Sequence, residues 1–403
     1  MIFRYLYFYL HIIFINFVAP KTKIARKMRT VTTLLLTLAA MLMMPLHVQA
    51  DQESIEREWR DSLRAAMEPY IVHQRMVCAE QDTMRLWWHI YGEEPADGRS
   101  LWISLHGGGG APAAVNDGQW DNQKKLYAPS EGVYVAPRAP WNTWNMWCMD
   151  PIDELYQQLI SGMVAYYNVN PDKVYIMGYS AGGDGVWRMA PRMADYWAAA
   201  SMMAGHPGGV SLVNLRNTPF MIWMGANDTA YDRNVLAPQR GAELDALQKD
   251  DPKGYIHETH IVPNVGHWMN RQDTLALDWM AQYKRNPYPK RIVWRQEERV
   301  RPYLYWIEAP ANELKPERWV EAEVDGNTIR ISRCEYSYID LYLNSALVDL
   351  EQPISVYLGG KRVFRGKVKQ SEATLRSTLH HRQDPRYACP SMLRIKNKNV
   401  KPE

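Results

Sequence analysis

The sequence predicts an α/β protein: a mostly parallel sheet with helices on both faces, followed by a small β-sandwich. Up to about residue 288, short apolar strands alternate with helical stretches, the pattern of parallel strands joined by crossover helices. Beyond "KRNPYPKR" the helical periodicity fades and turn-bounded alternating runs take over. Residues 51–288 are the expected first domain and 289–403 the second.

The chain opens on apolar material with a second start inside it. Met28 and Arg29 precede "VTTLLLTLAAMLMMPL", and Val48-Gln49-Ala50 precede the charged "DQESIEREWR". The apolar run is shorter than the roughly 20 residues of a spanning helix, Pro45 interrupts it, and small residues follow at the cleavage point, so residues 1–50 read as leader and signal peptide with Met28 as the true start. The mature protein is expected to be secreted or periplasmic, without stable membrane insertion. Residues 1–50 hold six Lys/Arg and no Asp/Glu, so their loss takes the formal charge from +3 to −3. That balance, with no basic tract, excludes a nucleic-acid partner. Cys78, Cys148, Cys334 and Cys389 are an even set in an exported chain, and the expected disulfides are Cys78–Cys148 and Cys334–Cys389.

In order along the first domain, the strands are expected in "SLWISLHGG", "GVYVAP", "KVYIMG", "YWAAASMMAG", "PFMIWMG" and "YIHETHIV". Asp150-Pro151 suits a helix start as N-cap and first-turn proline, with Leu155, Leu159 and Met163 on one face of the helix that follows. The second domain shows "NTIRISRC", "IDLYLNS" and "PISVYLGGKRVFRGKV", where Gly359-Gly360 between alternating runs reads as a hairpin turn. Its Trp294, Trp306 and Trp319 suit a carbohydrate-binding surface; the short connection at residue 288 favours a supporting wall instead.

The chemistry centres on "DKVYIMGYSAGGDGVW". A strand (Val174 to Met177) runs into Ser180 with glycines on either side, and a helix opens at Ala181. A serine on a sharp strand-to-helix turn is exposed for nucleophilic attack, and glycine is needed where the turn crowds the backbone. Serine is a poor nucleophile alone, so a base, a group that orients the base, and donors for an oxyanion are required. "LHGGGG" offers unhindered N–H groups just past a strand. Asp228 stands at the tip of "PFMIWMGAND" and Asp232 four residues on; Asp228 is the expected acid. Among later histidines, His257 and His260 lie within a strand on opposite faces, and His380 and His381 lie in the β-rich tail. His267, in the loop of "IVPNVGHWM" before a helix near Arg271, is the expected base.

Residues 100–285 resemble the α/β-hydrolase superfamily, and within it the secreted polyhydroxybutyrate depolymerase-like and feruloyl or acetyl-xylan esterase group. "LHGGGG", "NVNPDKVYIMGYSAGG", "GANDTAYD" and "GHW" carry the resemblance, over about half of the mature chain. It implies the α/β-hydrolase fold, the triad Ser180-Asp228-His267, and an oxyanion hole from the Ala181 N–H with one from Gly107, Gly108 or Gly109. Serine carboxylic-ester hydrolysis without a cofactor is the expected activity, on an ester substrate such as an acylated carbohydrate. A serine peptidase on the same scaffold and a non-catalytic glycan-binding protein are the alternatives.

The chain departs from that group in "PRAPWNTWNMWCMD". Trp141, Trp144 and Trp147 are candidates for an acyl pocket or sugar platform, with Arg138, Asn142 and Asn145 as polar contacts. His206 in "MAGHPGG" is a further candidate beside the site. "HETH" lacks the i, i+4 histidine pair of a zinc-binding helix and no Cys-x-x-Cys occurs, so no metal site is expected.

Overall fold

The computed structural model describes residues 52–400; the leader reading of residues 1–50 lies outside them. The chain divides into two compact units, residues 1–58 and 59–403. In the first, residues 52–58 are helical. All that follows concerns the second, in which the helix α1 covers residues 59–72.

Eight strands form one sheet: β1 (Arg75–Val77), β2 (Thr83–Tyr91), β3 (Arg99–Leu105), β4 (Gly132–Arg138), β5 (Val169–Tyr179), β6 (Ala199–Met203), β7 (Phe220–Gly225) and β8 (His257–Val262). Their order is β1-β2-β4-β3-β5-β6-β7-β8, the order of the α/β-hydrolase fold. β1 and β2 are antiparallel to their neighbours, and every pair from β4 to β8 is parallel. The sequence reading found β3 to β8 and missed β1 and β2, an antiparallel edge whose "TMRLWWHIY" alternates only partly between buried and exposed positions. β5 also starts earlier than expected. Pro171 lies inside it, and the register with β3 shifts between Arg99 and Leu101, which accommodates a residue that has no N–H for the ladder.

Alternation along the strands sends side chains to two cores. Leu101, Ile103, Val174, Ile176 and Ile222 meet helices α1, α3 (Ile152–Tyr167), α4 (Ala181–Arg192) and α5 (Arg233–Asp250). Trp102, Tyr175, Met177, Met221 and Trp223 face the other way, toward α2 (Ala113–Gln123) and α6 (Leu275–Met280). Leu155, Leu159 and Met163 are fully buried on one face of α3 as their spacing requires. The expected cap of α3 is displaced by one residue: Pro151 is the N-cap and makes no side-chain cap bond, while Asp150 pairs with Arg299.

From β9 onward the sheets are small. β9 (Arg291–Arg295), β12 (Trp319–Asp325), β13 (Thr328–Cys334), β15 (Ile354–Leu358) and β16 (Lys361–Gly366) make one, in the order β16-β15-β13-β12-β9. β10 (Tyr303–Leu304), β11 (Ile307–Glu308), β14 (Tyr338–Leu343) and β17 (Ser391–Lys396) make the other. Ile292, Val320, Ile329 and Val356 from the first meet Ile307, Ile339, Leu341 and Ile395 from the second in one core, which is a β-sandwich. Gly359 and Gly360 both adopt positive φ in the β15–β16 hairpin, as a tight hairpin turn demands.

Two details of this part go beyond the sequence reading. His380 and His381 lie in the β-rich part as expected, but on a helix within it, α7 (Glu372–Arg382). Ser371 caps it by accepting the Thr374 N–H at 3.1 Å, so "SEAT" was the available signal. Trp294 and Trp306 are buried in the sandwich core and offer no surface for sugar. A buried charge cluster helps join the sandwich to the large sheet: fully buried Asp195 accepts from Arg382 Nη2 at 2.6 Å and Arg301 Nη1 at 3.3 Å. Arg285 bonds the Asp195 carbonyl at 2.9 Å and pairs with Asp384 at 2.8 Å. A cluster of this kind fixes one arrangement, because withdrawing any partner would leave a charge buried alone.

The disulfide expectation is also overturned. All four cysteines are free thiols. Cys78 donates to the Asp82 carbonyl and Cys148 to the Asn145 carbonyl, Cys334 approaches the Tyr336 carbonyl, and Cys389 lies 3.3 Å from the Tyr288 hydroxyl. Burial raises the pKa of each, so they behave as small apolar residues. An even count permits pairing but cannot bring two Cα atoms within bridging distance.

Candidate active site

The parallel register brings the ends of six strands to one edge. Leu105 pairs with Gly178 and Tyr179 with Met203, so the loops after β3, β5 and β6 emerge side by side, as ligand-binding loops of open α/β sheets do. Ser180 sits at the turn between β5 and α4 with φ 57° and ψ −120°, a conformation disfavoured for any residue but glycine. Its N–H donates to the Met203 carbonyl at 2.9 Å, and its carbonyl accepts the Asp184 N–H at 2.9 Å. The flanking glycines are required by space: a Cβ on Gly178 would stand 2.4 Å from the Gly182 oxygen, and one on Gly182 2.1 Å from the Leu105 oxygen.

Three side chains from separate loops meet there. His267 Nε2 lies 2.9 Å from Ser180 Oγ, and His267 Nδ1 lies 2.7 Å from Asp228 Oδ2. The Asp228 carboxylate is only 2 % exposed and the imidazole 44 %, an anion held inside beneath a ring open to the outside. Gly225 lets the loops meet, since a Cβ there would fall 2.0 Å from the Gly266 oxygen. Asp232 is exposed, on a turn with φ 57°, and does not join this group. His257 turns to Asp245 and His260 stacks on Trp223, on opposite faces of β8.

Tyr179 is the positioning residue that sequence reasoning missed. Its hydroxyl donates to the His267 carbonyl at 2.6 Å and accepts the Met269 N–H at 3.1 Å, pinning the histidine loop from the residue before the serine. Burial raises its pKa, which keeps it a donor. A hydroxyl at the end of a strand buried along most of its length was the signal, because packing alone would be met by phenylalanine. Tyr179→Phe is expected to lower kcat about tenfold through a misplaced imidazole, with KM nearly unchanged. Wild-type kcat in that variant would mean the loop is held by other bonds.

The glycine loop after β3 is held from both sides. Buried His106 accepts the Ala139 N–H on Nε2 at 3.2 Å, so its proton sits on Nδ1, 2.6 Å from the Gly107 carbonyl. Burial lowers its pKa to about 4, consistent with a neutral ring. Asn116 accepts the Gly109 N–H at 2.9 Å and donates back to the Gly109 carbonyl at 3.0 Å. Gly109 is thereby withdrawn from the expected oxyanion donors. Gly107 and Gly108 keep N–H groups unengaged among the described residues, and Gly107 is the closer, its Cβ position 3.2 Å from Ser180 Cβ. Ala181, first residue of α4, has no intrahelical partner for its N–H.

The other candidates separate by burial. Trp147 is buried, donates to the His106 carbonyl at 2.9 Å and packs against Gly185. Arg138 is buried and bonds Asp117 and Asn142. Both therefore shape the loop from inside. Trp141 leans partly buried on the core, whereas Trp144 is 65 % exposed. His206 donates its N–H to Asp184 Oδ1 at 2.6 Å, and burial lowers its pKa. Among the described residues no group of three His, Cys, Asp or Glu is placed to hold a metal ion. A cavity of about 240 Å³ lies in the sandwich part, lined among others by Tyr303, Glu308, Tyr342 and Arg382, and includes none of these site residues.

No family model matches the sequence, and no curated protein matches it. Among solved structures, a thermostable esterase is similar at 16% identity over 52% of this chain and 62% of its own, with a TM-score of 0.41. A poly(3-hydroxybutyrate) depolymerase from Bordetella parapertussis is similar at 15% identity over 53% of this chain and 90% of its own, with a TM-score of 0.38. An acetyl xylan esterase from Aspergillus awamori is similar at 14% identity over 49% and 93%, with a TM-score of 0.34.

Proposed function

We propose that the protein is a serine carboxylic-ester hydrolase acting through an acyl-enzyme. The observation that carries this reading is the hydrogen-bonded chain Ser180–His267–Asp228 at 2.9 and 2.7 Å, on a strained turn beside unengaged backbone N–H groups. Ser180 Oγ attacks the ester carbonyl while His267 Nε2 takes its proton, and Nδ1–H donates to Asp228, which stabilises the imidazolium. The negative oxygen of the tetrahedral intermediate receives the N–H groups of Ala181 and Gly107 or Gly108. His267 then returns the proton to the departing alcohol, leaving the acyl group on Ser180. Water, deprotonated by the same imidazole, attacks the acyl-serine, and the carboxylic acid leaves as Ser180 regains its proton.

The motif resemblance supports acylated polysaccharides as the substrate class, and the leader reading supports export. The four free thiols support neither. The direct test is covalent trapping: a fluorophosphonate probe is expected to add once, on the tryptic peptide containing Ser180. A folded protein that takes up no probe would overturn the reading.

A further inference from the structure

The one tryptophan of the "PRAPWNTWNMWCMD" loop that stands open, Trp144, has a cation behind it. The Arg188 guanidinium lies 5.6 Å from its ring centroid, within cation–π range. The Trp144 backbone lies close to the nucleophile turn: the Cβ position of Gly109 is 3.6 Å from both the Trp144 Cα and the Ala181 Cβ, and Ala181 follows Ser180. Arg188 is two turns along α4 from Ser180, and long helical side chains lean back toward the N-terminus, which directs the guanidinium toward the serine end.

Arg188 has few protein partners for a partly buried cation, and none of its N–H groups is both buried and unpartnered, so those left over open to solvent. Its one hydrogen bond is from Nη1 to the Asp184 carbonyl at 3.4 Å, and among the described residues no carboxylate comes within ion-pair distance of it. Asp184 itself turns Oδ1 to the His206 N–H at 2.6 Å. The loop after β6 is shaped to leave room for the guanidinium: Gly208, at φ 57°, would place a Cβ 2.5 Å from Arg188 Nη2. By contrast the buried Arg138 and Arg192 are paired with Asp117 and Asp153. N–H groups left open in this way are available to the oxygen atoms of a ligand.

We infer that Arg188, backed by the exposed ring of Trp144, receives a carboxylate carried by the substrate, so that the preferred esters are anionic. This inference rests on the ester-hydrolase reading for its substrate and on the Arg188 surroundings for the charge. A fork of N–H donors fits a carboxylate, and the Trp144 face fits a flat sugar or aromatic ring bearing it. An acylated or esterified acidic sugar has both features.

The test uses the full protein and two ester pairs: the half-methyl esters of succinate and adipate, whose carboxylates reach different distances, and their neutral dimethyl esters. Binding to Ser180→Ala protein is measured by calorimetry, without turnover, and hydrolysis by the wild type is followed by proton release. At least one half-ester is expected to bind about tenfold or more tightly than its dimethyl ester, the low end of a charge-assisted bond. Arg188→Gln should collapse that ratio to about one, while Arg188→Lys should restore part of it. Equal binding of both members of each pair, or a preference that survives Arg188→Gln, overturns the inference. Hydrolysis of all four esters without preference leaves the hydrolase reading standing and removes the anion site. Selective binding of a half-ester with no hydrolysis of any ester does the opposite.

Discussion

Ser180→Ala is expected to lower kcat on 4-nitrophenyl acetate by at least about 10⁴, since loss of the nucleophile in such a triad costs about 10⁶ and only oxyanion and binding contributions remain. The fold should survive. The strained backbone at Ser180, φ 57°, is as accessible to alanine as to serine, and it is held by the main-chain bonds to Met203 and Asp184 that the substitution leaves in place. The side chain has one hydrogen-bond partner among the described residues, the exposed edge of the His267 ring, which water can replace. A cooperative thermal transition close to that of the wild type, together with the loss in kcat, is the expected pair of results. A folded Ser180→Ala protein that keeps turning over the ester would sink the mechanism.

The elbow was legible because three constraints coincide in sixteen residues: an apolar strand, glycines where a Cβ has no room, and a helix start. The crowding of Gly178 and Gly182 against Gly182 and Leu105 oxygens is a steric fact that any residue but glycine would violate, so it must be written in the sequence. His267 and Asp228 were legible by position, since strand ends are where parallel sheets collect side chains. Tyr179 was not, because its role depends on a loop 88 residues away, and a hydroxyl pointing at a distant carbonyl leaves no local pattern. Asn116 was missed for the same reason: it is a helix residue whose partners, Gly109 and Asn142, come from two other loops.

The tryptophan loop shows where composition misleads. Three rings at spacing three look alike in sequence, yet Trp147 is fixed inside by the His106 carbonyl and by the space that Gly185 leaves, and Trp144 is left outside. Burial is decided by neighbours that the local sequence does not name. The disulfides failed in the same way, because cysteine parity says nothing about Cα separation. In the sandwich, the burial of Arg301 and Arg382 leaves no local sequence pattern, because their shared partner Asp195 lies more than a hundred residues earlier.

Asp228→Asn is expected to lower kcat by at least about 10², and Asp232→Asn by less than about tenfold. Asp228 Oδ2 accepts from His267 Nδ1 at 2.7 Å, which keeps the Nδ1–H tautomer and leaves Nε2 free to take the serine proton. An asparagine keeps the size and the backbone bonds, Asp228 N–H to the Gly225 carbonyl and the Asn234 N–H to the Asp228 carbonyl, so the loop should persist. Its amide, however, can present N–H₂ to Nδ1 and favour the opposite tautomer, whose Nε2–H cannot accept from Ser180; in serine proteases the same change costs about 10⁴. The difference from Asp232 is geometric. Asp232 is exposed on a turn with φ 57°, and its carboxylate makes no hydrogen bond to a side chain or backbone group among the described residues. Its removal changes only a screened charge near His206. Measuring kcat for both variants on one aryl ester, with thermal unfolding to confirm that each is folded, decides between them: a larger loss at Asp232 than at Asp228 would show that the imidazole is oriented from the outer turn rather than from the strand tip.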